Sequence, residues 1–154
     1  MRIQKAWLKK NNLIVKDKMK TIPALILCLK DILCKKPVVI VDFIFDQGLL
    51  YIAIKNIGTL PAYKVSIQFD KEFRGVAGEK KVSDLALFKC IEFLPPQKEI
   101  KTFLDSSAAY FDRNEPEKIS TRITYQDSQQ RRYVNKINHN LVIYKDIGYV
   151  QIRE

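Results

Sequence analysis

The chain has 154 residues, of which 47% are hydrophobic and 29% charged, and its formal net charge is +10. This length suits one domain with a substantial core and is short for two, and the apolar content argues against global disorder. The charge is placed unevenly. Residues 1–36 carry ten Lys or Arg against two Asp, whereas the rest of the chain carries 17 basic and 15 acidic side chains. The basic character therefore belongs to the N-terminal segment, which suggests that this segment meets an anionic surface.

Residues 1–20 show no firm hydrophobic period and are predicted to form a flexible or loosely packed arm. From Thr21 onwards, apolar residues recur with helical spacing until Pro37, which predicts one amphipathic helix. Its apolar stripe consists of Ile22, Leu25, Ile26, Leu29, Ile32 and Leu33. We therefore predict two regions, a basic arm with an amphipathic helix at 1–37 and a β-domain at 38–154.

After Pro37 the pattern is that of β-structure. Apolar and polar residues alternate at 50–55 and at 63–69, around a turn cluster at 56–61, and a further strand is predicted at 38–45. Within the turn cluster, Asn56 can bond its own backbone, Gly58 can adopt positive φ, and Pro61 presets φ.

Further strands are predicted at 85–94, 100–104, 119–125 and 133–144, with a short apolar alternation at 149–152. Two long loops separate them, at 70–84 and 106–117, and Tyr110 and Phe111 are expected to be exposed in the second loop. Ile137, Leu141 and Ile143 are core candidates. About seven or eight short antiparallel strands at regular spacing predict a mainly β, two-sheet sandwich. The two long connections favour it over a closed up-and-down arrangement.

Three turn segments carry a family resemblance: KNIGTLPAYKV at 55–65, FLPPQKE at 93–99 and ITYQDSQQRRY at 123–133. They resemble the turns of bacterial and archaeal immunoglobulin-like sandwich domains of the CARDB, cell-adhesion-related type, over roughly residues 38–145. The resemblance implies an immunoglobulin-like sandwich of about seven strands, in which Asn56 and Gly58 fit the turn and Ala62 leaves room for the chain. Gln97 and Gln130 stand where the family has glycine. The resemblance supplies no catalytic residue.

The sequence offers little chemistry. His139 is the only histidine and is expected to be a solvated residue on a strand face, and no nucleophile elbow or Gly-rich phosphate loop occurs. Cys28, Cys34 and Cys90 form no metal or disulfide pattern and are expected to be small buried residues in a reducing compartment. We expect neither enzymatic activity nor a bound cofactor or metal.

The apolar run at 22–29 is too short to cross a membrane, and no signal-peptide cleavage site follows it. We expect a cytoplasmic protein, at most peripheral to a membrane, that acts as a non-catalytic interaction module for a protein partner. The first alternative is attachment to an anionic membrane surface through the N-terminal helix. The second and least favoured is nucleic-acid binding through the lysine-rich segment.

The candidate membrane or partner surface comprises Lys9, Lys10, Lys16, Lys18, Lys20, Ile22, Leu25, Ile26, Leu29, Leu33, Lys35 and Lys36. The competing explanation is that the helix packs its stripe on the sandwich and leaves its lysines in solvent. The oligomeric state is left open by the sequence.

Overall fold

A computed structural model describes the backbone of residues 35–150 and the side chains of residues 35–147. The predicted arm and nearly all of the predicted N-terminal helix lie outside the described residues. So do ten members of the candidate membrane or partner surface, Lys9, Lys10, Lys16, Lys18, Lys20, Ile22, Leu25, Ile26, Leu29 and Leu33. Lys35 and Lys36 are described; both are exposed, and both lie outside any helix or strand.

The regular elements of the described chain are nine strands, three short α-helices and one 3-10 helix, Val82–Asp84. The strands are β1 (Val39–Asp46), β2 (Leu49–Asn56), β3 (Ala62–Phe69), β4 (Arg74–Gly75), β5 (Lys80–Lys81), β6 (Ile91–Leu94), β7 (Glu99–Ser106), β8 (Lys118–Gln126) and β9 (Arg132–Asn140). The helices are α1 (Ala86–Lys89), α2 (Ser107–Asp112) and α3 (Val142–Val150). The prediction of a mainly β protein is confirmed.

Seven of the strands form two antiparallel sheets. One sheet has the order β1-β2-β7 and the other β6-β3-β8-β9, while β4 and β5 form a small separate pair. Buried side chains of both sheets share one hydrophobic core, which includes Phe43 and Ile52 from the first sheet and Val65 and Ile123 from the second. This arrangement is consistent with the predicted sandwich.

Strand β8 shows why these residues fold in this way. Ile119, Thr121, Ile123 and Tyr125 are all buried, and the residues between them are exposed or half-buried. A strand places alternate side chains on opposite faces, so this sequence can bury one face only. The apolar face of β8 therefore decides which polar side chains the strand presents outward.

Asn56 joins several segments of the fold and is fully buried. Its side-chain oxygen accepts hydrogen bonds from the backbone N–H groups of Val38 (3.2 Å) and Gly58 (3.0 Å). Its side-chain nitrogen donates to the carbonyl oxygens of Leu60 (2.8 Å) and Leu94 (3.1 Å). One amide therefore ties the entry to β1, the turn after β2 and the end of β6 together.

Gly58 does not adopt the positive φ suggested for it from the sequence; it is required because two chain segments pass very close together there. A Cβ atom at this position would lie 2.4 Å from the carbonyl oxygen of Lys36 and 2.5 Å from the backbone nitrogen of Val38. Ala62, which follows the turn, is also fully buried and pairs with Leu94, and Pro61 is half-buried. Only a residue without a side chain fits at Gly58.

Gln97 and Gln130, which stand where the CARDB-type pattern has glycine, both adopt positive φ, 61° and 62°. Glycine takes this conformation without steric cost, so its usual presence at such turn positions has a physical reason. At Gln130 the turn is held by Asp127, whose backbone carbonyl accepts a hydrogen bond from the Gln130 N–H.

The predictions for 85–94 and 106–117 were partly wrong. Residues 86–89 form helix α1, because Leu85 and the fully buried Phe88 follow helical rather than strand spacing, and only 91–94 form a strand. In the second segment, Tyr110 lies in α2 and is completely buried, with its hydroxyl donating to the carbonyl of Pro116 at 2.8 Å. Phe111, also expected to be exposed, is half-buried.

The strand predicted at 133–144 ends at Asn140 in the structure. The short apolar alternation predicted at 149–152 was also wrong for residues 149 and 150, which belong to helix α3. The Asn140 side chain accepts a hydrogen bond from the Val142 N–H, which turns the chain into α3. Leu141 is buried as predicted, whereas Ile143 is exposed. The apolar residues after Asn140 therefore follow a helical period.

Two single-residue predictions were also wrong. Cys90 is exposed, while Cys28 and Cys34 lie outside the described residues. His139 is half-buried, with its ring 4.9 Å from the ring of Phe43. Burial lowers the pKa of His139, and the charge of Asp42 partly opposes that shift. No described helix is long and apolar enough to cross a membrane.

Asp127 organises the hairpin between β8 and β9. Its buried carboxylate accepts hydrogen bonds from the backbone of Gln129 (2.8 Å) and Arg131 (3.0 Å), the Arg131 side chain (2.7 Å) and the Tyr133 hydroxyl (2.9 Å). Burial raises the pKa of this carboxyl, but the hydrogen bonds from Arg131, Tyr133 and Gln129 outweigh burial and lower the pKa to about 2. The hairpin therefore depends on an ionised Asp127.

Replacing Asn56 by alanine should lower the free energy of unfolding by about 3 kcal/mol or more, because it leaves several buried backbone groups without partners. Urea denaturation monitored by circular dichroism measures this loss. Thr59→Ala, an exposed position in the same turn, serves as the matched control and should change stability little. Equal stability of the two variants would show that the Asn56 hydrogen bonds do not hold the fold together.

Replacing Asp127 by asparagine should make stability less dependent on acid. A carboxyl whose pKa is depressed in the folded state stabilises it above the ordinary pKa of 3.8, and this contribution is lost as the pH falls through 3.8 to about 2. The variant should therefore melt below the wild type at pH 7, with the difference shrinking towards pH 2. Asp112→Asn, an exposed carboxyl, is the control for thermal melts across this range. A constant difference at all pH values would contradict the role assigned to the ionised group.

Candidate functional site on the outer face of the four-stranded sheet

Three adjacent strands of the four-stranded sheet carry only positive charge. Strands β3, β8 and β9 contain no Asp or Glu, and they contain five cations, all exposed. We call the outer surface that these side chains occupy the basic face; its cations are Lys64, Lys118, Arg122, Arg132 and Lys136. None of the five forms an ion pair with a residue in the described part of the chain.

The strand register places two of these cations directly opposite each other. Arg122 on β8 pairs with Lys136 on β9 and, on its other side, with Gln68 on β3. Like charges at directly opposed positions destabilise a sheet. The centre of the basic face therefore carries two directly opposed cations, neither of which forms an ion pair within the described residues.

Lys64 reaches the basic face through a β-bulge. The register of β3 against β8 shifts between Tyr63 and Ser66, and Lys64 has a φ of 50°. A bulge of this kind inserts one extra residue and redirects a side chain. Lys64 lines the same shallow hollow as Arg122 and Arg132, with a volume of about 340 Å³. A lysine thus occupies a left-handed position that glycine would fill with less strain.

Aromatic side chains adjoin the cations at one end of the basic face. Phe93 on β6 pairs with Tyr63 on β3, Tyr63 pairs with Gln126, and Gln126 pairs with Arg132, so one row crosses all four strands. The rings of Phe93 and Tyr63 have centroids 5.4 Å apart, and 53% of Phe93 is exposed. This row presents apolar ring surface beside a cation.

The other end of the basic face is bordered by a carboxylate. Asp70, directly after β3, accepts a hydrogen bond from the backbone N–H of Ser120 at 2.7 Å. With Arg122 and Lys136 it lines a second shallow hollow of about 250 Å³. Asp70 forms no ion pair with either cation, so within the described residues Arg122 and Lys136 have a carboxylate nearby but no direct carboxylate partner.

The opposite sheet differs in charge. Strands β1, β2 and β7 contain four acidic and two basic residues, and Lys55 forms an ion pair with Glu99 at 2.5 Å. It has an aromatic pair of its own, in which the rings of Tyr51 and Phe103 lie 5.8 Å apart with Lys101 positioned over Tyr51. The excess of positive charge is therefore a property of one sheet.

The two buried carboxylates have structural partners. Asp127 holds its hairpin, as described above. Asp105 accepts hydrogen bonds from the Arg113 side chain (2.5 Å), from the Ala77 backbone (3.2 Å) and from the Ser106 backbone (2.8 Å). These contacts fasten the segment around β4 to the start of α2. Across residues 35–147, no group of three His, Cys, Asp or Glu side chains is placed to hold a metal ion.

The candidate residues predicted from the sequence do not include the cations of the basic face. Asn56, Gly58, Pro61 and Ala62 lie at the corner between β2 and β3; none of them belongs to the basic face, although Ala62 begins strand β3. Lys36 lines a small hollow with Tyr133 and Val134, near the start of β9. The alternation in β8 and β9 already separated the outward cations from the core residues, but the sequence did not show that β3, β8 and β9 are neighbours.

The fold and the basic face together define a class: a mainly β, antiparallel domain with one strongly cationic sheet face. The chain belongs to the family described as a domain of unknown function, DUF8453, whose match covers residues 33–145. Neither the curated proteins nor the solved structures contain a match to this chain. The resemblance to CARDB-type domains stays a prediction.

Replacing Lys64 by glycine should leave the melting temperature nearly unchanged, because relief of the strain at positive φ offsets the greater freedom of glycine in the unfolded chain. Gln68→Gly, an exposed position in the regular part of β3, is the control and should lower stability by about 1 kcal/mol. A large loss of stability in the Lys64 variant would show that the lysine side chain stabilises the bulge.

Proposed function

We propose that this chain is a non-catalytic binding module and that the basic face is the surface with which it contacts an anionic partner. The observation that carries the proposal is the directly opposed pair of Arg122 and Lys136, on strands that contain no carboxylate. Such a pair costs stability in the free protein. An anionic partner removes that repulsion and releases counterions on binding.

We further propose an immunoglobulin-like topology, on the basis of the strand order. The connections β2–β3, β6–β7 and β7–β8 pass between the two sheets, while β1–β2 and β8–β9 are hairpins within a sheet. Sandwiches of three plus four antiparallel strands with Greek-key connections are typical of immunoglobulin-like domains. Domains of this kind serve many roles, so the basic face, and not the topology, indicates the function of this one.

The rest of the described domain supports binding over catalysis. His139 packs against Phe43, and the carboxylates of Asp105 and Asp127 are engaged in hydrogen bonds that hold loops. The hollows of the basic face are shallow and lie on a sheet surface instead of in a closed cleft. An open, charged surface suits recognition of an extended partner more than it suits the exclusion of water from a reaction.

Reversing the two central charges should weaken binding to a polyanion. The face variant is Arg122→Glu with Lys136→Glu, and the matched control is Lys80→Glu with Lys98→Glu, two exposed lysines outside the basic face. Both variants lower the net charge equally. If the basic face is the binding site, the face variant should therefore elute from a heparin column at distinctly lower salt than the control. Equal elution of the two variants would contradict the proposal.

Stability measurements separate a binding defect from a folding defect. The face variant replaces one like-charged pair by another, so its melting temperature should stay close to that of the wild type. Arg122→Glu alone places a carboxylate opposite Lys136 and should raise the free energy of unfolding by about 0.5 kcal/mol while it lowers heparin retention.

A further inference from the structure

We infer that the basic face binds single-stranded nucleic acid, an inference that rests on the proposed binding function. Two kinds of side chain with different chemistry share this one surface. Arg122, Lys136 and Lys64 are placed to contact phosphates, and the exposed ring of Phe93 beside Tyr63 offers a stacking surface for a base. Binding of single strands combines these two elements, a cationic track and aromatic platforms.

The aromatic row lies close to the cations but remains distinct from them. Counting along β8, Gln126 marks the aromatic row, and Arg122, four residues away, marks the central cationic row. At about 3.4 Å per residue, these rows are separated by roughly 14 Å, and between them lies a row of two hydroxyl side chains, Ser66 and Thr124, and the exposed Val134. A chain crossing these rows meets ring surface, hydrogen-bonding groups and cations in turn.

The side chains around the cations can bond to bases and sugars. The polar residues of the basic face are Ser66, Gln68, Ser120, Thr124, Gln126, Asn138 and Asn140. Amide and hydroxyl groups both donate and accept hydrogen bonds, which suits the edges of unpaired bases. A purely acidic partner requires only the cations and leaves the acceptor groups of these side chains without a role.

The shape of the surface favours a single strand over a duplex. The major groove of B-DNA admits a helix or a two-stranded ribbon, whereas the basic face and the adjoining strand β6, which carries Phe93, together span four adjacent strands. A membrane surface is less well matched, because interfacial binding relies on a large apolar area facing the lipid, whereas the exposed apolar side chains here, Val134 and Phe93, stand apart among polar and charged ones. An extended strand with exposed bases can follow the sheet and reach both Phe93 and Lys136.

Fluorescence anisotropy of the full chain with a fluorescein-labelled (dT)20 oligonucleotide tests the inference. Wild-type protein should bind this oligonucleotide more tightly than a duplex of the same length. If five phosphates are contacted, the affinity should fall with salt with a logarithmic slope of about −3.5. Phe93→Ala should weaken binding at least about fivefold through lost stacking.

The opposite sheet supplies the matched control for stacking. Phe103 is 43% exposed and also pairs with a tyrosine, so Phe103→Ala removes a comparable ring from a surface outside the basic face. It should leave (dT)20 affinity unchanged. Equal effects of the two alanine variants, or no effect of Phe93→Ala, would overturn the inference.

Further binding measurements distinguish a failure of this inference from a failure of the proposed function. If the Arg122 and Lys136 double variant loses heparin and (dT)20 binding while Phe93→Ala binds (dT)20 normally, the basic face is a binding surface but nucleic acid is not its ligand. Competition by polyglutamate as effective as that by unlabelled (dT)20, or tighter binding to phosphatidylserine vesicles, leads to the same conclusion. If the double variant matches the Lys80 and Lys98 control with every probe, both proposals fail.

Discussion

The four hydrogen bonds of the Asn56 side chain are the constraint on which the rest of the domain depends. They join the entry to β1, the β2–β3 turn and the end of β6, and they satisfy backbone groups that are otherwise buried without partners. The backbone of Asn56 also bonds to Lys98 and Gln97, in the turn that leads into β7. Because β2 belongs to one sheet and β3 to the other, this corner sets how the chain leaves the first sheet and enters the second.

That placement has a direct consequence for the basic face. Strand β3 begins immediately after the corner, and its register against β8 and β6 brings Lys64 and Tyr63 beside Arg122 and Phe93. The face combines features that a sequence selected only for stability would avoid: an opposed cationic pair, a lysine at positive φ and a half-exposed phenylalanine. Such local conflicts within an otherwise consistent fold are expected at functional sites.

Sequence patterns predicted the long strands well and the short segments poorly. The predicted bounds of β1, β2, β3, β7 and β8 agree with the structure to within about two residues. Alternation indicated β2, β3 and β8, and a β-branched, aromatic run indicated β1. Tyr110 was expected to be exposed because its segment looks like a loop, yet the chain folds it back over the core and satisfies its hydroxyl at Pro116. The helices at 86–89 and 142–150 were predicted as strands for a related reason, since a short apolar run fits both the helical and the strand period.

By itself, the sequence determined the mainly β class, the alternation of each strand and the excess of positive charge. It also marked Asn56 and Gly58 as turn residues. Only the tertiary structure decided where the charges of the domain meet, because 17 basic and 15 acidic side chains after residue 36 look nearly neutral when counted along the chain. Strand pairing is a long-range property, and it places β3, β8 and β9 side by side and the acidic strands β1 and β7 in the other sheet. The basic face exists because of that pairing.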